Sequence, residues 1–161
     1  MSRVIRPAEP RDAAALGRVH VECWREAYAH LLSAELLAGL DPLARGEGWS
    51  RMLAHNAPDE RVSVLEVDGE LRGFASSGPC LDDDAPRAKS LYAIYLYADE
   101  HGSGAGQALL DSVIADEPAA LWIADGNPRA EAFYRRNGFE RDGTEKSEPR
   151  LEELLEVRMV R

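Results

Sequence analysis

A glycine-rich turn at residues 101–106, His-Gly-Ser-Gly-Ala-Gly, follows an apolar segment and precedes a helix-like one. Glycine lets the backbone turn tightly and approach a ligand closely, because it carries no Cβ. A turn that leads into a helix also presents free backbone N–H groups and the positive end of the helix dipole to an anion. Gly102, Gly104 and Gly106 therefore predict a loop that binds a phosphate-bearing cofactor.

A second segment, Asn127–Phe139, carries the candidate catalytic group. Asn127 followed by Pro128 is typical of a helix start, since asparagine caps helices and proline fits their first position. Gly138 predicts the end of this helix, because glycine easily adopts a left-handed turn. Tyr134 lies within the helix and is a candidate proton donor beside the bound cofactor.

Two other phosphate-binding loops do not fit the chain. A dinucleotide-binding Rossmann domain requires a third glycine at a set spacing and a repeated βαβ half, and neither is found. A P-loop requires Gly-Lys followed by Ser or Thr, which does not occur in the sequence.

The pattern of apolar residues predicts a mixed α/β domain. Apolar residues at three- and four-residue steps indicate an amphipathic helix over residues 12–29, with Asp12 as its cap. Ser33 and Asp41 are candidate caps of two further helical pieces, and Asp68-Gly69 is a hairpin turn signal. Further elements are expected as strands near 3–6, 91–97, 119–124, from 139 onward and over 151–160, and as a helix over 104–116. The expected order is β-α-α-β-β-β-α-β-α-β-β, in one domain over residues 1–161.

The overall composition excludes two classes of partner. The chain has 161 residues and a formal net charge of −10, whereas nucleic-acid binding depends on a basic surface. No apolar run approaches the roughly 18 residues of a membrane span, and the N-terminus has no apolar signal core. We therefore expect a cytoplasmic protein that binds neither nucleic acid nor membrane.

The metal-binding residue types are scattered along the chain. Cys23 and Cys80 lack zinc-ligand spacing, and the four histidines do not cluster. No metal is therefore expected, and both cysteines are expected to be reduced in a cytosolic protein.

The two motifs together resemble those of the GNAT superfamily of acyl-CoA-dependent N-acyltransferases. That family's pyrophosphate loop has the form Q/R-x-x-G-x-G/A and follows a central strand. Residues 101–106 occupy the corresponding position here. Its later motif has an Asn ahead of a helix, an aromatic pair and a terminal Gly-Phe, which correspond to Asn127, Phe133-Tyr134 and Gly138-Phe139. The element order extends the resemblance over nearly the whole chain. It implies a mixed, mostly antiparallel central sheet flanked by helices.

The resemblance also implies an activity, in which the acetyl group of acetyl-CoA moves to a primary amine by direct attack. The reaction expels a thiolate, and the corresponding free thiol has a pKa of about 8.5. A phenol of pKa about 10 stays protonated at neutral pH and can donate a proton to this sulfur. Tyr134 would have this role. The residues implied to bind the cofactor are Ile94, Tyr95, Leu96, His101, Gly102, Ser103, Gly104, Ala105, Gly106 and Asn127.

Within that set, the strand residues 94–96 would bind the pantetheine arm through a splay between two central strands. One of their N–H groups would stabilise the oxyanion of the tetrahedral intermediate. Trp24 and Tyr28, one turn apart on the first helix, are candidates for the substrate wall, with core packing as the alternative for Trp24. The acceptor amine could be a small molecule or a peptide, and family members often form homodimers.

One position departs from the family pattern. His101 stands where the family has Gln or Arg, the loop has no Arg or Lys, and Asp99 and Glu100 precede it. We expect a weaker side-chain contribution to phosphate binding. Glu22 and Asp82–Asp84 are candidate bases, although an aspartate run is usually a solvated loop. A non-catalytic acyl-CoA sensor or partner-binding module is the alternative function.

Overall fold

The computed structural model describes every residue, Met1–Arg161, and contains one seven-stranded sheet with helices on both faces. The strands are β1 (Arg3–Pro7), β2 (Arg61–Val67), β3 (Glu70–Pro79), β4 (Lys89–Leu96), β5 (Ala120–Ala124), β6 (Glu140–Glu148) and β7 (Leu154–Val160). The helices are α1 (Ala13–Tyr28), α2 (Ala34–Ala38), α3 (Pro42–His55), α4 (Ala105–Val113) and α5 (Pro128–Arg136). None of the helices is long and apolar enough to cross a membrane.

The strands lie in the order β1-β2-β3-β4-β5-β7-β6, and every neighbouring pair is antiparallel except β4 and β5. Side chains alternate between the two faces of each strand. Leu65 of β2 packs with α4 and α5 on one face, and Val64 packs with α1 and α3 on the other. The expected mixed, mostly antiparallel sheet flanked by helices is therefore confirmed.

Two details of the predicted elements are wrong. Three helices separate β1 from β2, as the pieces predicted at Ser33 and Asp41 indicate, whereas the expected element order contained only two. Ser33 caps α2, accepting a hydrogen bond from the Leu36 N–H at 3.1 Å. Asp12 makes no capping bond to α1. Its carboxylate binds the guanidinium of Arg6 at 2.8 Å instead, because the fold brings β1 beside it.

The central strand β4 is joined to β5 only briefly. Ser90 and Ala120 are the one residue pair in this parallel ladder. Just beyond it, a bulge sets Leu91 and Ala93 against consecutive residues of β3 and leaves Tyr92 without a partner. A bulge bends its strand and increases its twist. The rest of β4 therefore diverges from β5, and a gap opens in the middle of the sheet.

The aspartate loop is solvated at Asp83 and Asp84, as expected, but Asp82 is only 19% exposed. Asp82 and Asp84 bind the guanidinium of Arg158 at 3.1 and 2.7 Å, and Asp142 binds it at 2.7 Å. The Arg158 side chain is only 5% exposed. Because a buried cation requires such partners, these carboxylates have a structural role and are poor candidates for a catalytic base.

Glycines determine how closely α1 approaches α3. A Cβ added at Gly17 would lie 2.5 Å from the backbone nitrogen of Gly46 and 2.5 Å from the carbonyl oxygen of Pro42. Both are main-chain atoms, which cannot move aside as the end of a side chain can. This contact therefore fixes the position of α1 over the face of β4.

An aromatic cluster fills the space between α1 and β4. His20 stacks on Tyr95 with a centroid distance of 5.6 Å, and its Nδ1 accepts a hydrogen bond from Trp49 Nε1 at 3.3 Å. Burial, with a smaller contribution from the charge of Arg45, lowers the pKa of His20 to about 3. The ring is therefore neutral in the folded protein at physiological pH.

Replacing Gly17 with alanine should lower the free energy of unfolding by about 3 kcal/mol, because overpacking would separate α1 from α3. Urea denaturation measures the change. Gly48→Ala is the matched control, since its Cβ would meet only the end of the Arg51 side chain at 3.9 Å. Alanine should stabilise that helix position by about 0.5–1 kcal/mol. Wild-type stability of the Gly17 variant would contradict the close contact.

The stability of the protein should fall as the pH drops from 6.5 toward about 3, because only the unfolded chain then protonates His20. One proton corresponds to about 1.4 kcal/mol per pH unit. His20→Gln, which keeps an acceptor for Trp49, should reduce this slope in urea denaturation at several pH values. The exposed His55→Gln should retain the wild-type slope. An unchanged slope in the His20 variant would show that this ring titrates normally.

Candidate functional site

A groove of about 640 Å³ follows the open edge of β4, with α1 on one side and α4 and α5 on the other. Most predicted site residues line it, namely Ile94, Tyr95, Leu96, His101, Gly102, Gly104, Gly106, Asn127 and Tyr134. Ser103, Ala105, Trp24 and Tyr28 do not line it. The glycine loop and the tyrosine helix, which are separate in sequence, therefore share one cavity.

Alternate residues of β4 turn their backbone groups toward the gap. Just after the end of β4, the N–H of Tyr97 donates to the carbonyl of Arg72 in β3. Hydrogen-bonded and non-hydrogen-bonded pairs alternate in an antiparallel ladder, so Tyr95 also bonds toward β3. Ile94 and Leu96 turn their N–H and C=O groups the other way, where β5 has already diverged. The backbone of Tyr95 is thus committed, and this residue lines the groove with its side chain.

The glycine loop presents alternate free N–H groups. The N–H groups of His101 and Ser103 donate to Ala98 and Glu100 carbonyls, and the Ala105 N–H donates to Ser103 Oγ. Those of Gly102, Gly104 and Gly106 have no protein partner. Gly102 and Gly104 have φ angles of 77° and 87°, and a Cβ at either would meet nothing within 4 Å. The loop can therefore receive an anion on its three glycines.

The acidic residues ahead of the loop are paired with arginines. Glu100 is buried and binds Arg3 at 2.9 Å, and Asp99 binds Arg72 at 2.6 Å. Their charges are thereby offset, and they oppose an anion on the loop less than their sequence positions suggest. Ser103 has a structural role in the same turn, because its hydroxyl donates to the Glu100 carbonyl at 2.6 Å.

One face of α5 forms the opposite wall of the groove. Asn127 caps this helix as predicted, accepting a hydrogen bond from the Ala130 N–H at 3.3 Å. Arg129, Phe133 and Arg136 follow at helical spacing and line the groove. Neither arginine makes an ion pair within the protein. These two cations were not among the predicted site residues, although they lie on the same predicted helix as Tyr134.

Tyr134 is 7% exposed, and it lines the groove between these walls. Its hydroxyl makes no hydrogen bond within the protein, so it is free to bond a ligand. Burial raises the pKa of Tyr134, and the neighbouring Tyr28 adds to the effect. The phenol therefore stays protonated throughout the physiological pH range.

The first helix contributes two separate sets of residues. Cys23, Glu26 and Ala27, with His30 just beyond the end of the helix, line the groove and were not predicted as site residues. Trp24 and Tyr28 lie on another side of α1, where their rings pack at a centroid distance of 4.9 Å. The Tyr28 and Tyr95 hydroxyls form a hydrogen bond of 3.0 Å.

Other candidate groups have structural partners or stay protonated. Glu22, a candidate base, accepts a hydrogen bond from the Tyr97 hydroxyl. Both cysteines are free, and burial raises the pKa of the Cys23 thiol to about 12. No group of three or more His, Cys, Asp or Glu side chains is placed to hold a metal ion.

Known proteins resemble this chain in sequence and in fold. The GNAT acetyltransferase domain family matches residues 58–141. The uncharacterized N-acetyltransferase YuaI of Bacillus subtilis is 31% identical over 162 residues, which cover 93% of this chain and 89% of that protein. Such relatives favour an enzyme over a non-catalytic binding module.

Two solved structures have the same fold at low identity. The PaiA N-acetyltransferase of Thermoplasma acidophilum, in complex with coenzyme A, has a TM-score of 0.75 and 19% identity over 98% of both chains. YncA of Salmonella typhimurium, solved with its cofactor acetyl-CoA, has a TM-score of 0.70 and 18% identity over 100% of this chain and 94% of its own. Together with the sequence matches, they lead to one conclusion. The chain belongs to the GNAT family and is an acyl-CoA-dependent acetyltransferase.

Proposed function

We propose that this protein transfers the acetyl group of acetyl-CoA to a primary amine, which attacks the thioester directly. The open edge of β4 carries this proposal, because Ile94 and Leu96 offer backbone groups that no strand occupies. A pantetheine arm has two amides, which can bond such an edge as an added strand would. The cofactors solved with PaiA and YncA support acetyl-CoA as the donor.

The phosphate groups of the cofactor are assigned to the two walls of the groove. The free N–H groups of Gly102, Gly104 and Gly106 would hold the pyrophosphate at the start of α4. Arg129 and Arg136 would supply the positive charge that the loop lacks at His101, because guanidinium groups bind phosphate through paired hydrogen bonds. Asn127 would contact the pantetheine arm in addition to capping α5.

Tyr134 is proposed to donate a hydrogen bond and then a proton to the leaving thiolate. Its hydroxyl has no competing partner, and the residue lines the groove together with Ile94 and Leu96 of the open strand edge. A protonated phenol can hydrogen-bond the sulfur as the C–S bond breaks and pass a proton to it. A backbone N–H of β4 would stabilise the oxyanion that forms when the amine adds to the acetyl carbon.

Tyr134→Phe should lower kcat by about a hundredfold or more, because it removes the proton donor. The Kd for acetyl-CoA should change little, since the hydroxyl acts mainly in the transition state. Thiol release with the most active amine of a small-amine screen gives kcat, and calorimetry gives Kd. Tyr97→Phe is the control, because its hydroxyl binds Glu22 outside the groove. Unchanged turnover in the Tyr134 variant would refute this role.

Replacing Arg129 and Arg136 together with alanine should raise the Kd for acetyl-CoA at least about tenfold, through the loss of charge-assisted hydrogen bonds. Calorimetric titration measures this change. Arg135→Ala on the same helix is the matched control, because Arg135 binds Glu131 at 2.7 Å and does not line the groove. Equal weakening by both changes would mean that general charge, and not these positions, determines affinity.

A further inference from the structure

Glu156 is a carboxylate without a partner on β7, which β5 separates from the gap. It lies on β7, opposite Ala124 of β5 and Lys146 of β6. Its side chain is half-buried and makes neither an ion pair nor a hydrogen bond within the protein. A half-buried charge without a partner is costly, so a ligand outside the chain is the expected partner of this carboxylate.

The carboxylates around Glu156 are engaged elsewhere. Asp82, Asp84 and Asp142 bind Arg158. Glu152 accepts a hydrogen bond from the Ser33 N–H at 2.7 Å, and Glu153 accepts one from the Ser147 hydroxyl at 2.6 Å. Glu156 is thus distinct from its acidic neighbours in having no bond of this kind.

The nearby cation does not neutralise Glu156 directly. Lys146 places its Nζ 4.1 Å from the centroid of the Trp122 ring, in a cation–π contact, and forms no ion pair. Burial raises the pKa of Glu156, the charge of Lys146 lowers it, and the charge of Glu148 raises it, with a net increase. A carboxylate with a raised pKa is a stronger base than an exposed one.

Glu156 also faces the aromatic residues that approach the reaction site. Tyr28 packs in one cluster with Ala124, the residue opposite Glu156 on β5, and with Leu154, which lies two residues before Glu156 on the same face of β7. Burial raises the pKa of Tyr28, and the charge of Glu156 adds to the increase. Tyr28 in turn bonds Tyr95, which lines the groove. Beside them, the indole N–H of Trp24 is buried and lies close to the Tyr95 hydroxyl. Tyr28 and Tyr95 therefore connect Glu156 to the groove.

We propose that this α1 side of the gap is the acceptor site, in which Glu156 binds the ammonium group of a primary amine and takes a proton from it. The inference rests on the proposed acetyl transfer. It assigns the cofactor to the α4 and α5 side and the acceptor to the side of Tyr28, Trp24 and Glu156.

The proton transfers balance over the reaction. Glu156 takes one proton from the ammonium group, which leaves a neutral amine. The nitrogen then forms a bond to the acetyl carbon, and the C–S bond breaks with its electron pair going to sulfur. The second nitrogen proton passes to the thiolate by way of Tyr134. Glu156 afterwards releases its proton to solvent.

The test uses CoA whose sulfur carries a propyl, butyl or pentyl chain ending in an ammonium group, with neutral alkyl chains of matched length. Calorimetry should show the best ammonium compound binding at least about tenfold more tightly than its neutral match, as expected for a charge-assisted bond. Glu156→Gln should abolish this preference. Glu145→Gln, an exposed change on β6 whose side chain points to the opposite face from Lys146, should retain it.

Two results would overturn the assignment of Glu156 while leaving the cofactor site intact. One is equal binding of the ammonium and neutral compounds by the unmodified protein, and the other is a preference that survives in Glu156→Gln. Failure of both series to bind would overturn the proposed function and this inference together. The neutral compounds therefore separate the two cases.

Discussion

The interruption of the hydrogen-bond ladder between β4 and β5 is the constraint on which the rest of the structure depends. Unpaired backbone groups inside a protein are costly, so a sheet opens at its centre only where something holds the strands apart and a partner can reach them. The bulge at Tyr92 bends β4 at the required point. Gly78 makes room for it, since a Cβ there would lie 2.6 Å from the Tyr92 hydroxyl oxygen.

The gap also divides the chemistry between the two faces of the sheet. The glycine loop, the arginines of α5 and Tyr134 lie toward α4 and α5, where an anionic cofactor is favoured. The aromatic residues of α1 and the unpaired Glu156 lie toward the other face, where a cationic amine is favoured. Because β4 lies between them, its free edge would bring a thioester and an amine together. Because the two faces differ in charge, the cofactor and the amine would each enter the gap from a different face of the sheet.

Features with a local cause could be predicted from the sequence. The cap at Asn127 depends on a few neighbouring residues, as does the left-handed turn at Gly138, and both are present in the structure. Features that depend on distant pairing could not be predicted. Asp12 binds Arg6 only because of where β1 lies, and Glu156 is left unpaired only because of the register of β6, β7 and β5.

Residue-resolved amide hydrogen exchange, with and without CoA, tests the central claim most directly. The N–H groups of Tyr95 and Tyr97 already bond toward β3 and should be protected in both states. Those of Ile94 and Leu96 should exchange rapidly in the free protein and become protected when CoA is bound. Saturable CoA binding that leaves the exchange of Ile94 and Leu96 unchanged would contradict the account, because the cofactor would then lie outside the gap.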